Sequence, residues 1–131
     1  MVNTAYIPER GDIIQLNFNP QKGHEQAGAR PALVLSPKVY NEKVGLALVC
    51  PITSQIKGYP FEVLLPERFS IKGAILSDHV KSLDWRARAS QYLCRVSPEV
   101  LNEVFGKLKT LLEPYESIGI TSWSVSAPFK E

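Results

Sequence analysis

The stretch Ser90–Leu112, SQYLCRVSPEVLNEVFGKLKTLL, holds the point at which the chain changes period. Ser90 to Val96 reads as a short β-rich run. At Ser97 three helix-start signals coincide: a hydroxyl residue suited to an N-cap, Pro98 at the first helical position and Glu99 in the first turn. Val100, Leu101, Val104, Phe105, Leu108, Leu111 and Leu112 then follow a spacing of about 3.6 residues and trace one face of a helix. Pro114 ends it, and Glu113 to Glu131 reads as a Ser-rich tail, loose unless something holds it.

Upstream of that change the pattern is strand after strand. Asp12 to Phe18 (DIIQLNF) leaves the turn residue Gly11, and a polar loop, Asn19 to Arg30 (NPQKGHEQAGAR), follows. Ala32 to Leu35, Leu46 to Ile52, Phe61 to Leu65 and Gly73 to Leu76 are short apolar runs bounded by Pro, Gly, Asn or Ser, with Val80 to Leu83 a further strand. The expectation is a mainly β (α+β) domain over residues 1–112: a small antiparallel barrel or strongly twisted sheet, with the helix packed on it and 113–131 as a flexible tail.

The chain's 131 residues fit one domain, because domains typically run to about 100–150 residues. Hydrophobic residues at 44% and charged ones at 21% disfavour a disordered or fibrous class. The net charge of +2 says little alone, but residues 1–95 hold 12 basic and 8 acidic side chains, against 3 and 5 in residues 96–131. A mildly basic body is compatible with a polyanionic ligand. No apolar stretch approaches the ~20 residues of a membrane helix, and the first twelve residues, MVNTAYIPERGD, lack the basic and apolar regions of a signal peptide. The expected location is the cytoplasm, with no membrane association. Cys50 and Cys94, widely spaced in apolar-rich segments, suit buried reduced thiols. His24 and His79 are isolated, so zinc-type ligation has nothing to build on, and no metal or cofactor is expected.

Three constellations carry chemistry. His24, Glu25 and Arg30 place a base, an acid and an obligate cation in and after the polar loop, where the Arg fork fits phosphate oxygens. The bland alternative is a solvated ion pair worth about 0–1 kcal/mol; Arg30, beside Pro31 and a strand, is the most rigidly placed of the three. Thr53, Ser54, Gln55 and Lys57 follow a strand end and could hold a phosphate, with Tyr59 in a Gly58–Pro60 turn as a face on which a base stacks. Ser77 to Arg88 (SDHVKSLDWRAR) interleaves Lys81, Arg86 and Arg88 with Trp85, as an RNA groove requires, although Trp85 could equally be a core residue with its N–H satisfied. No G-x-S-x-G, P-loop or G-x-G-x-x-G is present, so serine hydrolysis, NTP and dinucleotide use are unsupported.

Together the blocks GDIIQLNFNP, KGHEQAGARPALVLSP, CPITSQIKGYPFEV and GAILSDHVKSLDWRARA resemble the MazF/PemK family of bacterial toxin endoribonucleases, closest to the MazF branch, over Gly11 to about Leu112. The resemblance implies a homodimeric toxin of a type II toxin-antitoxin system on a small SH3-like/CcdB-like antiparallel β-barrel. It implies a metal-independent mRNA interferase that cuts single-stranded RNA at a short sequence, inhibits translation and is silenced by a cognate antitoxin. By the same resemblance Arg30 stabilises the phosphate, Thr53 is an orienting hydrogen-bonder, and Glu25 or His24 is base or acid. PemK-type members carry an Arg two residues before the Asp of the last block. Here that place is Leu76, so Asp78 joins Ser54, Gln55, Lys57, Tyr59, Lys81 and Trp85 as expected RNA contacts. Two alternatives remain at this point: a gyrase-poisoning toxin on the same fold, whose members lack this loop chemistry, and a non-catalytic RNA-binding module using the same cations.

Overall fold

A computed structural model describes residues 6–18 and 28–114. Strands β1 (Asp12–Asn17), β2 (Ala29–Val34), β3 (Ala47–Thr53), β4 (Glu62–Leu64), β5 (Ala74–Leu76), β6 (Lys81–Leu83) and β7 (Gln91–Arg95) form one antiparallel sheet. Helix α1 (Lys38–Val44) lies between β2 and β3, and α2 (Pro98–Leu112) closes the described chain. The strand path is β4-β5-β3-β2-β1-β7, with β6 also on β3. The long strand β3 explains the curl. One edge pairs with β2 through Val49–Pro51, while the other is split between β6 at Ala47–Val49 and β5 at Ile52 and Thr53. A register shift between Ile13 and Ile14 bends β1 against β7. Among the described residues β4 and β7 do not pair with each other, so of the two expected forms, barrel or strongly twisted sheet, the sheet takes the second, strongly bent but not closed.

Alternation of side chains splits the core in two. Ile13, Leu33, Cys50 and Ile52 face the layer covered by α2 through Val100 and Val104. Ile14, Leu16, Ala32, Val34 and Val49 face the opposite layer, filled by Trp85, with Tyr6 and Ile7 packed against it. Because both faces are covered there, successive residues Ile13 and Ile14 of β1, and Ala32, Leu33 and Val34 of β2, are all buried.

The helix α2 begins where its signals place it: Ser97 Oγ accepts from Val100 N at 3.2 Å, with Pro98 at the first helical position. Its stripe is only partly used, for Leu111 and Leu112 remain 43% and 70% exposed. Residues 115–131, most of the expected tail, lie outside the described residues. Helix α1 is not anticipated by any apolar period. It is flanked by Pro37 at its start and by Gly45 at its end, which takes φ +83, and its one buried side chain is polar. Asn41 Nδ2 donates to Pro8 O at 2.8 Å and to Ser36 O, while its own carbonyl accepts from the Trp85 indole at 3.0 Å. That knot ties the N-terminal segment, α1 and the Trp85 layer together.

Candidate active site

Arg30 and Thr53 come from neighbouring strands. Arg30 pairs with Leu16 on one side of β2, and continuing the β2–β3 register two residues past Ala32 and Pro51 brings it opposite Thr53. Both side chains line a cavity of about 370 Å³ whose wall also includes Phe18, Leu76, His79, Lys81 and Arg88. A second cavity of about 400 Å³ is lined by Gln55, Lys57, Tyr59 and Glu62. The two share Thr53, Leu76 and His79, so they form one groove with Thr53 and His79 at its middle. Arg30, Lys57, Lys81 and Arg88 give that groove a cationic lining suited to a phosphodiester chain.

The local sequence fixes this geometry at several points. Thr53 Oγ1 accepts from Gln55 N at 3.0 Å, which turns the chain out of β3. Gly73 crosses against that same strand end, where a Cβ would stand 2.2 Å from Thr53 O. The Glu62 carboxylate accepts from the backbone N–H groups of Lys57, Gly58 and Tyr59, at 3.1, 2.9 and 3.3 Å, and so pins the loop that lines the second cavity. Lys107 Nζ, on α2, donates to Pro60 O at 2.7 Å and holds the loop from the far side. Tyr59 Oη donates to Asp78 Oδ2 at 2.6 Å, and that bond, ahead of burial and the carboxylate's charge, pushes the phenol's pKa up from its ordinary value. Arg88 is held by its bond to Asn17 O at 3.1 Å.

Of the expected site residues, Arg30, Thr53, Gln55, Lys57, Tyr59 and Lys81 come together in the groove, and Asp78 stands behind Tyr59. Ser54 is exposed and outside the lining of both cavities. Trp85 is a correction. It is 3% exposed, with its N–H committed to Asn41 and the Arg86 guanidinium 4.5 Å over its ring, so it fills core rather than meeting a base. His24 and Glu25 lie outside the described residues. The ends of their segment are nevertheless fixed: Phe18 N donates to Gly28 O at 3.1 Å, and Phe18 itself lines the Arg30 cavity. The sequence reading missed His79 as a groove residue. Its only signal was its position two residues before Lys81 in the basic block. Among the described residues no three His, Cys, Asp or Glu side chains stand where they could hold a metal ion.

A model of PemK-like, MazF-like toxins of type II toxin-antitoxin systems matches residues 9–112. The chain belongs to this PemK/MazF toxin family. Within the family it is 49% identical over 109 residues to the endoribonuclease toxin MazF of Escherichia coli K12, covering 83% of this chain and 97% of that protein. To the endoribonuclease PemK of Escherichia coli it is 36% identical, covering 79% of this chain and 81% of the relative. Among solved structures, a MazE-MazF crystal structure from Deinococcus radiodurans is 54% identical and superposes with a TM-score of 0.77, covering 82% of this chain and 97% of that one. MazF from the same organism solved without MazE matches with the same TM-score of 0.77. The MazF relationship thus spans both cores and the whole groove.

Proposed function

We propose that this member of the PemK/MazF family is the toxin of a type II toxin-antitoxin system, an endoribonuclease that cuts single-stranded RNA at a short sequence. The observation that carries the reading is the placement of Arg30 and Thr53 on adjacent strands in one cationic groove, in a chain that shares 49% identity with an endoribonuclease. Cleavage is by attack of the ribose 2′-hydroxyl on the adjacent phosphorus. The Arg30 fork stabilises charge on the pentacoordinate phosphorus without being asked to give up a proton. Thr53, fixed by its turn, orients a phosphate oxygen. Glu25 or His24, in the segment whose ends close at Phe18 and Gly28, accepts the 2′-hydroxyl proton. Gln55, Lys57, Tyr59 and Lys81 run the strand along the groove, and no metal takes part.

The partners on this reading are single-stranded RNA, a second copy of the chain and an antitoxin protein; the MazF structure of Deinococcus radiodurans cited above is a MazE-MazF complex. No described helix is long and apolar enough to cross a membrane, and we place the protein with its mRNA substrate in the cytoplasm, with residues 1–112 as the active domain. Arg30, Lys57, Lys81 and Arg88 line the groove that holds Thr53, which favours the ribonuclease reading over gyrase binding through the helix.

A single substitution in the substrate tests the chemistry. With the cut site mapped, replacing the ribose 5′ to the scissile phosphate by 2′-deoxyribose abolishes cleavage while binding persists. Continued cutting of that substrate would require a water nucleophile and a different mechanism.

A further inference from the structure

RNA cleavage of this kind needs two proton transfers: one from the attacking 2′-hydroxyl and one to the departing 5′-oxygen. The groove's described lining contains several cations but few groups that exchange protons. Arg30 and Arg88 present guanidinium groups, which bind phosphate through fixed N–H donors and are poor proton donors. Glu62 is spent on three backbone N–H groups, and the Tyr59 hydroxyl is committed to Asp78. Lys57 and Lys81 carry ammonium groups that bind phosphate as point charges.

His79 is different. It lines both cavities, its side chain is 51% exposed, and its backbone is anchored in a turn by donation to Leu76 O at 3.1 Å. Its Nε2 stands 3.8 Å from Asp78 Oδ1, a buried carboxylate oxygen with no hydrogen-bond partner, while the other oxygen of that carboxylate is held by Tyr59. Nδ1 has no partner among the described residues and is the nitrogen left for a ligand in the groove. At 3.8 Å the imidazole stands beside this carboxylate without a hydrogen bond to it, and the carboxylate is itself held by a third side chain, which leaves a titratable ring next to a fixed negative charge in the groove.

We propose that His79, beside the Tyr59–Asp78 pair, is the general acid that protonates the 5′-oxygen leaving group; this rests on the ribonuclease reading above. The 2′-oxygen forms its bond to phosphorus, and the P–O5′ bond breaks with its electron pair going to O5′. The proton on His79 Nδ1 moves to O5′, and the 2′-hydroxyl proton goes to Glu25 or His24, the base of the ribonuclease reading. The products are a 2′,3′-cyclic phosphate and a 5′-hydroxyl, and solvent returns a proton from base to acid. The charged groups facing His79 are Asp78 beside it, Arg30 from β2, Lys81 from β6, Arg88 from the turn after it, and Lys57 and Glu62 across the second cavity.

The test uses His79→Gln in the full chain and a short RNA carrying a cut site mapped with the unsubstituted protein. A matched RNA has sulfur in place of the bridging 5′-oxygen, because a thiolate leaves without protonation. The variant, being altered at an exposed position, retains the parent's melting temperature. On the ordinary RNA it loses about 10²-fold in kcat with KM little changed, and one limb of the pH–rate profile disappears. On the sulfur-bridged RNA it matches the parent within about threefold. Full activity of His79→Gln on ordinary RNA overturns the proposal and leaves the ribonuclease reading standing, as does an equal loss on both substrates, which marks a role in placing the strand. Absence of any cutting by the unsubstituted protein removes both.

Discussion

On the proposed ribonuclease reading, Arg30 is the residue on which the chemistry turns, because it offers fixed charge in a planar fork at the end of a paired strand. Arg30→Ala is expected to cost about 10²–10³-fold in kcat, the loss typical of one preorganised stabilising donor. Arg30→Lys keeps the charge, yet falls well short of the parent because an ammonium cannot present two parallel N–H groups; single-turnover kinetics measures both variants. Gly73 is a second decisive position. Its φ of +131 and the 2.2 Å approach of a would-be Cβ to Thr53 O mean that Gly73→Ala must push β5 away from the end of β3. The substitution should destabilise the fold by about 1–3 kcal/mol and depress kcat in the same protein, read by thermal melting and by cleavage. Arg30 and Thr53 could be picked out as groove candidates because a cation beside a strand and a hydroxyl at a strand end are read locally, while the roles given to them came from the family resemblance. The burial of Trp85 was not legible, since it depends on Asn41, distant in sequence and on a helix with no apolar stripe. His79 was equally obscure, because what distinguishes it is the unpartnered oxygen of Asp78 next to it.

At the level of elements, α2 shows how capping and period combine. Removing the cap in Ser97→Ala leaves Val100 N without its acceptor and should lower stability by about 1 kcal/mol, a few degrees in Tm, with cleavage unchanged. The loop 57–59 is held differently, by one carboxylate rather than by a period. Glu62→Ala frees three backbone N–H groups at once. The expected result is a KM for RNA raised about tenfold with kcat and Tm nearly constant, since the loop guides the strand but lies outside both cores. Helix α2 was readable to the residue because start signal, period and stop agree. Helix α1 escaped because seven residues with Val39, Tyr40 and Val44 turned outward leave no stripe, and its only buried side chain is an asparagine. The start of β2 was placed at Ala32, whereas pairing with β1 extends it back to Ala29 and so puts Arg30 within the strand.

For the whole molecule, two packed layers around one bent sheet explain why the groove is rigid enough to hold separated side chains in register. Cys50 reports on the integrity of the larger core. Burial pushes its thiol up to about 12, with the charge of Asp78 adding to the effect. At pH 8 only roughly 10⁻⁴ of it is thiolate, so Cys50 should resist iodoacetamide in the native protein and react once the chain is denatured; Cys94, half-buried, should react first, as mass spectrometry of the modified peptides would show. The sign for stability follows. A thiol raised in the fold above its unfolded value of 9.0 contributes stability that is intact below pH 9 and is lost as the pH rises towards 12.

The sheet's openness, by contrast, could not be read from strand count, because closure depends on whether β4 and β7 meet, and short runs with turn signals are silent on that. The central claim is that this sheet presents a metal-independent ribonuclease groove built on Arg30. The most direct measurement incubates the protein, and separately Arg30→Ala, with a long single-stranded RNA in EDTA and maps cut positions and end groups. Discrete cuts leaving cyclic phosphate and 5′-hydroxyl ends with the parent, and none with the variant, are the predicted result; RNA that is bound but left intact by the parent, or cut equally by both proteins, would contradict it.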